Sequence, residues 1–334
     1  LRNSSAASDV YKRQSYSSLI EDNLALSTCY CSHRFEEGYA MLEWMATLGF
    51  KKVELSHGIS INLVPGIIQA IEDGVVGVSS VHNFCPLPFG MNSPMPNIFK
   101  PTSRSHREIN LWKRYTEETI KFSQRIGSNK VVLHSGSAWF FFQSPLFKLM
   151  NWLEINDIKK SELKNNQAFI KVRDKLMSRV ERASRRRYEI LKESFQSIEE
   201  FARDHSVELG VENREGLTEL PLDEDHSEFI KSFDEESPIS YWHDTGHAEI
   251  KALYGLLDHE QRLEEIKSHT IGYHLHDVSD SGDDHQEIGT GIVDFSMISR
   301  FIDKSNHALV LELSPKLSED AIKRSKDNIL NYFN

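Results

Sequence analysis

Six consecutive apolar runs of this chain end in side chains that can ligate a metal ion. His82 closes Val78-Ser-Ser-Val81-His82, His134 closes Val131-Val-Leu133-His134, and Glu212 closes Leu209-Gly-Val211-Glu212. Asp244 and His247 follow in Tyr241-Trp-His243-Asp244-Thr-Gly-His247, His274 and His276 in Tyr273-His274-Leu-His276-Asp277, and Glu312 in Leu309-Val-Leu-Glu312. Taken singly, a histidine is most simply a satisfied or surface residue. Six successive run ends of this kind point instead to one shared site. Carboxylates and imidazoles gathered there would repel or lose hydration unless a cation neutralised them. Imidazole and carboxylate without thiolate suit Mn²⁺, Co²⁺, Zn²⁺ or Mg²⁺ rather than a closed structural zinc site.

Further candidates surround this set. Asp283-Asp284-His285-Gln-Glu-Ile-Gly289-Thr-Gly291 reads as a tight loop that turns Asp283 and His285 back over the cluster, or as a polar connection only. As a glycine pattern it lacks the strand–helix context of a phosphate loop. Arg214 is placed to bind a phosphate or polyol oxygen, and Glu54 and His57 to complete the rim; anchoring of loops is the equal alternative for all three. Cys29 and Cys31 read as small core residues on one face of the first strand, and Cys85 lies near the rim beyond His82.

The elements that must position these residues follow from periodicity. Strand-like runs are expected at Ala25–Cys31, Lys52–Leu55, Val76–Val81, Lys130–Leu133, Val207–Val211, Ile239–Trp242, Thr270–Leu275 and Ala308–Leu313. Between them apolar residues recur at helical spacing, as in Tyr39, Leu42, Met45 and Leu48, or Leu63, Ile67, Ile68 and Ile71. Gly49, Gly74 and Gly127 stand where helix stops are expected. Strands alternating with helices imply parallel βαβ units, and eight of them close a (β/α)8 TIM barrel; a doubly wound open sheet is the alternative from pattern alone. In a closed barrel all six run ends meet on one rim.

Two stretches depart from the repeat. Residues 84–104 form a Pro-rich loop after the third strand, and 135–166 a long insertion after the fourth, with Trp139, Phe140, Phe141 and Phe142 in a row. Loops this long in compact domains are usually functional, so the insertion is read as a lid, or as a segment packed outside the barrel or against a second subunit. Arg185, Arg186 and Arg187, interleaved with Glu181 and Glu189, read as a solvated helix face. No internal repeat or linker divides residues 15–334, which are taken as one domain. Residues 1–14 are set apart as a non-native leader, because Asp9-Val-Tyr-Lys-Arg-Gln14 resembles the in-frame translation of a transposon end used in library preparation.

The chain has 334 residues, 39% hydrophobic and 27% charged, with 50 acidic against 39 basic side chains and a net charge of −11. That balance gives no support to a polyanion-binding surface, so no nucleic-acid partner is expected. No apolar run approaches the ~18 residues of a membrane span. Three cysteines fit a reducing compartment better than a disulfide framework, and a cytoplasmic location is expected.

Across residues 25–330 the chain resembles the xylose isomerase-like TIM-barrel superfamily, which includes sugar-phosphate isomerases and epimerases and the endonuclease IV type of AP endonuclease (family 2). The resemblance rests on Val211-Glu212-Asn213, Asp244-Thr-Gly-His247, His274-Leu-His276-Asp277, Asp283-Asp-His285 with Gly289-x-Gly291, and Leu311-Glu312 taken together. In the epimerase branch it implies one divalent cation held by Glu212, Asp244, a histidine of the seventh strand (His274 or His276) and Glu312. Glu212 and Glu312 would also shuttle protons through a metal-stabilised cis-enediolate, with His247 touching the substrate. In the endonuclease branch it implies three zinc ions on His82, His134, Glu212, Asp244, His247, His274, Asp283, His285 and Glu312. That branch has His-Leu-Asn-Asp where this chain has His274-Leu-His276-Asp277, and Trp242-His243 before Asp244 follow the sugar enzymes. The resemblance therefore implies a metal-dependent isomerase or epimerase of a small carbohydrate or polyol, pairing as a homodimer. A di- or trinuclear zinc phosphodiester hydrolase is the alternative. A non-catalytic sugar-binding barrel is disfavoured, since a binder has no use for two proton-shuttling glutamates.

Overall fold

The computed structural model describes residues 19–91, 93–141 and 144–333; the proposed leader, 1–14, lies outside the described residues. Eight parallel strands run in sequence order around a closed barrel: β1 Leu24–Ser27, β2 Lys52–Leu55, β3 Gly77–His82, β4 Lys130–Leu133, β5 Glu208–Glu212, β6 Ile239–Asp244, β7 Thr270–Leu275 and β8 Ala308–Leu311. Pairing of β1 with β8, Ala25 opposite Val310, shuts the ring and excludes an open sheet. The first strand is shorter than its apolar run. After Ser27 the chain turns into 3₁₀ geometry at Thr28–Tyr30, with the Cys31 N–H donating to the Thr28 carbonyl. Cys29 and Cys31 therefore do not share a strand face: Cys31 is buried, whereas Cys29 lines the cavity above the barrel.

Alternation along each strand explains where the chemistry sits. Ala25, Val132, Trp242, Ala308 and Val310 point inward and make a small core of their own inside the barrel. One pleat further along, the same inward face carries Ser27, His134, Asp244 and Glu312. Each ionisable residue is thus the last inward position above an apolar or small one. Trp242 fills most of the floor because its neighbours on β5 and β7 are glycines. A Cβ on Gly272 would lie 2.3 Å from the indole, and one on Gly210 would lie 3.0 Å from it. The outward faces, such as Leu26, Val53, Leu133, Val211 and Leu309, join the larger core under the helices.

The helices are α1 Gly38–Thr47, α2 Val64–Glu72, α3 His106–Arg125, α4 Pro145–Asn156, α5 Lys160–Leu163, α6 Gln167–Asp204, α7 His226–Lys231, α8 Thr245–Leu253, α9 His259–Ile266, α10 Phe295–Ser299 and α11 Glu319–Phe333. Caps mark their starts: the Ser105 hydroxyl accepts from the Glu108 N–H, and the Asn166 side chain from the Phe169 N–H. The insertion at 135–166 is helical for much of its length. Ser144 caps α4, Pro145 opens it, and Asp157 ends it in left-handed conformation at φ 44°. α6, with 38 residues, is about 57 Å long. Among the described residues no helix is long and apolar enough to cross a membrane.

Candidate metal centre

His274, on β7, stands at the middle of the barrel mouth and is fully buried. Its Nε2 lies 3.0 Å from Glu54 Oε2, and a carboxylate only accepts, so Nε2 carries the hydrogen. Its Nδ1 then faces Glu212 Oε1 at 2.8 Å, Glu312 Oε2 at 3.2 Å and Asp244 Oδ2 at 3.9 Å. Burial disfavours charge on this ring, but Glu312, Glu54 and the Glu212 hydrogen bond outweigh it and hold His274 well above the usual imidazole range. Four donors from four strand ends therefore converge on one point. Glu54 belongs beneath this group rather than on the rim: it accepts from Ser27 Oγ at 3.0 Å and Ser80 Oγ at 2.7 Å and fixes the His274 tautomer.

A second group shares Glu212. His82 Nδ1 donates to the Asn83 carbonyl at 3.0 Å and His134 Nδ1 to Asn97 Oδ1 at 3.0 Å, so both Nε2 lone pairs face inward. His134 Nε2 lies 2.9 Å from Glu212 Oε2 yet makes no hydrogen bond. Burial, helped by the Arg214 charge, lowers the His134 pKa to about 3, so the ring is neutral. A lone pair opposed to a carboxylate at that distance is repulsive unless a cation stands between them. These two arrangements, around His274 and His134, fit a divalent ion.

The third group is His247, His276 and His285. His276 lies just past the end of β7 and diverges from His274. Its Nδ1 accepts from the His285 N–H at 2.9 Å, so its Nε2 donates to Asp244 Oδ1 at 2.9 Å. With both nitrogens engaged, His276 orients Asp244 rather than offering a lone pair. Gly246 makes room for it, since a Cβ there would meet the ring at 2.1 Å. His247 Nδ1 sits 3.0 Å from the Asn213 carbonyl, and its Nε2 3.2 Å from Glu215 Oε2. His285, in left-handed conformation at φ 53°, stacks on His276 at 4.2 Å and reaches within 3.7 Å of Glu312.

Asp283 does not join this group. Its carboxylate accepts from Ser279 and Ser281 at the surface, and Asp284 instead meets His285 Nδ1 at 3.2 Å. The loop turns through His285 one residue out of phase with the expected placement. What shapes the loop is Asp277, whose carboxylate accepts the N–H groups of Val278, Gly289, Gly291 and Val293 at 2.8–3.1 Å. The two glycines thus wrap a carboxylate of the protein itself. A Cβ on Gly291 would lie 2.1 Å from the Val278 carbonyl.

Arg214 is likewise committed internally. Its guanidinium pairs with Glu212 at 2.9 Å, Glu215 at 3.1 Å and Glu219 at 3.3 Å, which leaves it as the anchor of Glu212. Burial would raise the Glu212 carboxyl, yet the Arg214 charge and the His274 hydrogen bond hold it well below the usual carboxylate range. His57 packs 4.8 Å from the His82 ring and lines the cavity, with burial and the His82 and His134 rings lowering its pKa.

Above the donors opens a cavity of about 770 Å³ with His57, His285 and Glu312 at its polar end. Leu146, Leu149 and Met150 of α4 and Ile250 and Tyr254 give it apolar lining, to which Lys316 adds a positive charge. The insertion therefore walls the mouth rather than standing clear of it. Sequence reasoning missed Asn97, Asp277, Asp284 and Glu215. Only Asp277 carried a legible signal, as the acid between the histidine pair and the glycine loop.

Fold and site together define a (β/α)8 barrel whose C-terminal mouth gathers groups of candidate metal donors. The chain belongs to the xylose isomerase-like TIM barrel family, whose pattern matches residues 42–330. Among curated proteins no sequence matches significantly. Among solved structures, a D-tagatose 3-epimerase-like protein is similar with TM-score 0.64 and 17% identity, over 93% of this chain and 96% of that one. The 3-keto-D-glucoside 4-epimerase YcjR from E. coli follows at TM-score 0.61 and 12% identity, covering 93% and 98%. The IOLI protein with a bound zinc atom has TM-score 0.59 and 13% identity, again over 93% and 98%.

Proposed function

We propose that the chain is a cytoplasmic, divalent-metal-dependent isomerase or epimerase of a small carbohydrate or related polyol ketone. The observation that carries this reading is the pair Glu212 and Glu312, both close to His274 Nδ1 at 2.8 and 3.2 Å, beneath a cavity with ample room for a sugar. Glu212, Asp244, His274 and Glu312 would hold the cation. A divalent ion there supplies Lewis-acid polarisation of a carbonyl and its neighbouring hydroxyl.

The chain's own residues do the rest. Glu312 meets the cavity directly and is placed to take a proton from the carbon beside the carbonyl; Glu212, one layer deeper, is the partner carboxylate. Arg214 and Glu54 keep Glu212 and His274 in position. Leu146, Leu149 and Met150 cover the carbon skeleton and exclude water, and Lys316 takes a hydroxyl or an anionic end of the substrate. Similarity to a D-tagatose 3-epimerase-like protein and to a 3-keto-D-glucoside 4-epimerase supports the same chemistry.

The test is exchange of the α-proton in D₂O, followed by NMR over ketopentoses, ketohexoses and their phosphates. Glu312→Gln and Glu212→Gln should each weaken metal binding, and excess metal should restore occupancy without restoring exchange. A panel without exchange on metal-loaded protein would sink the reading. One observation favours a second reading, a multinuclear phosphodiester hydrolase: two donor groups that share Glu212, with His247 and His285 beside them, meet at the mouth. About three zinc ions per chain together with hydrolysis of an activated phosphodiester would establish that alternative; about one ion per chain excludes it.

A further inference from the structure

A second cavity, of about 570 Å³, lies outside the barrel along α6 and shares no lining residue with the one at the mouth. Arg179, Arg182, Arg186 and Arg187 line it from one helix; the first three share a face at spacings of three and four, and Arg187 stands one step round from Arg186. Arg104, from the Pro-rich loop, closes the opposite edge. Arg185 points elsewhere and acts on Asp225. The arginine block is therefore more than the solvated face its local sequence suggested.

Three features separate this cavity from ordinary basic surface. None of its five guanidinium groups forms an ion pair with an acid among the described residues, although the chain as a whole carries −11. Arg187 is crowded enough that burial and the Arg104 charge lower its pKa. The third feature is aromatic. Arg104 sits over the Trp139 ring at 4.6 Å, and Trp139 meets Phe141 edge-on at 5.6 Å. Trp139 is 45% and Phe141 76% exposed, which leaves ring surface at the cavity for a ligand. Ala183, between the arginines on α6, keeps the space clear.

Planar guanidinium forks match phosphate oxygens two at a time, and exposed rings take a flat partner by stacking. We infer that this cavity binds a phosphorylated ligand carrying a planar ring, of the nucleotide class, at a site separate from the barrel mouth. A bare phosphate leaves Trp139 and Phe141 without a role. A long nucleic acid would have to continue into the adjoining cavity, which shares Arg104 and Arg187 but is also lined by Glu193. A compact ligand is the better fit.

The test is calorimetric and fluorescence titration of the metal-loaded protein in excess Mg²⁺, so that the probe does not strip the barrel's ion. ATP, AMP, adenosine and pyrophosphate serve as probes. ATP should bind and quench tryptophan emission, and the quench should vanish in Trp139→Ala. Arg182 and Arg186 are exposed, so their alanine variants keep the fold. Each should weaken ATP about tenfold, the scale of one charged hydrogen-bond pair. Trp139→Ala should weaken ATP while leaving pyrophosphate unchanged, and adenosine alone should not bind. No ATP binding at millimolar concentration overturns the inference, as does binding indifferent to both arginine variants. Equal affinity for ATP and pyrophosphate would remove the ring from the site. A short single-stranded oligonucleotide binding far more tightly than ATP, with steep salt dependence, would assign the cavity to nucleic acid instead.

Discussion

Glu54→Gln isolates the contribution of a residue that touches no cavity. Glu54 and His274 are both fully buried, and the 3.0 Å contact from Nε2 to the carboxylate directs the other ring nitrogen at Glu212, Glu312 and Asp244. An amide of the same shape still accepts from one donor, and the Ser80 hydroxyl, 2.7 Å away, can rotate to accept from the new NH₂ group. The fold should survive, but His274 loses a charged partner that makes it a better ligand. Losing such an outer partner typically lowers metal affinity about 10–100-fold, which is about 1.4–2.7 kcal/mol. Titration of chelator-treated protein with Mn²⁺ or Zn²⁺ by calorimetry reads this directly. The gain in melting temperature on adding metal should shrink in parallel, read for each protein against its own metal-free melting temperature. Unchanged affinity in Glu54→Gln would refute the reasoning, because His274 would then need no carboxylate behind it.

Three further outcomes follow from the packing. Asp277→Ala strands four backbone N–H groups and should cost on the order of 3 kcal/mol, with faster amide exchange confined to residues 278–293 by hydrogen-exchange mass spectrometry. Gly272→Ala forces a methyl against Trp242 and should destabilise by about 1–3 kcal/mol. Combining it with Trp242→Phe should recover part of that loss in a denaturant double-mutant cycle, and simple additivity would argue against the clash. His226, buried against Tyr241, has its pKa lowered to about 3 by burial, with Asp223 opposing and Lys251 and Arg262 adding to the shift. A depressed histidine gives stability that is complete above the unfolded value of ~6.5 and lost as pH falls toward about 3. By pH 5 that loss is about 2 kcal/mol. Denaturant midpoints for His226→Phe should fall less steeply between pH 7 and 5 than those of wild type.

The barrel and its donors were legible because two periodicities coincide. Apolar runs alternate with helical spacing, and each run stops on one ionisable inward residue, so closure alone places His82, His134, Glu212, Asp244, His274 and Glu312 together. What a linear pattern cannot carry is depth or phase. Glu54 looks like a rim residue until its hydroxyl partners place it below His274. Arg214 looks free until Glu215 and Glu219, from the same loop, fold back onto it. His274 and His276 share strand parity, but β7 ends between them, so they part. One left-handed residue, His285, exchanges Asp283 for Asp284. The face of Arg179, Arg182, Arg186 and Arg187 was present in the spacing, yet it acquires meaning only when Arg104 and Trp139 arrive from distant loops.

Closure through the β1–β8 pair also determines when the candidate donors come together. Glu212, Asp244, His274 and Glu312 come from four strand ends, so an unfinished barrel presents scattered single donors with little hold on any cation. Contacts between distant parts of a chain form late. An ion held as proposed would therefore act as a proofreader of topology, retained by molecules whose first and last strands have met and surrendered by those that stall half-wound.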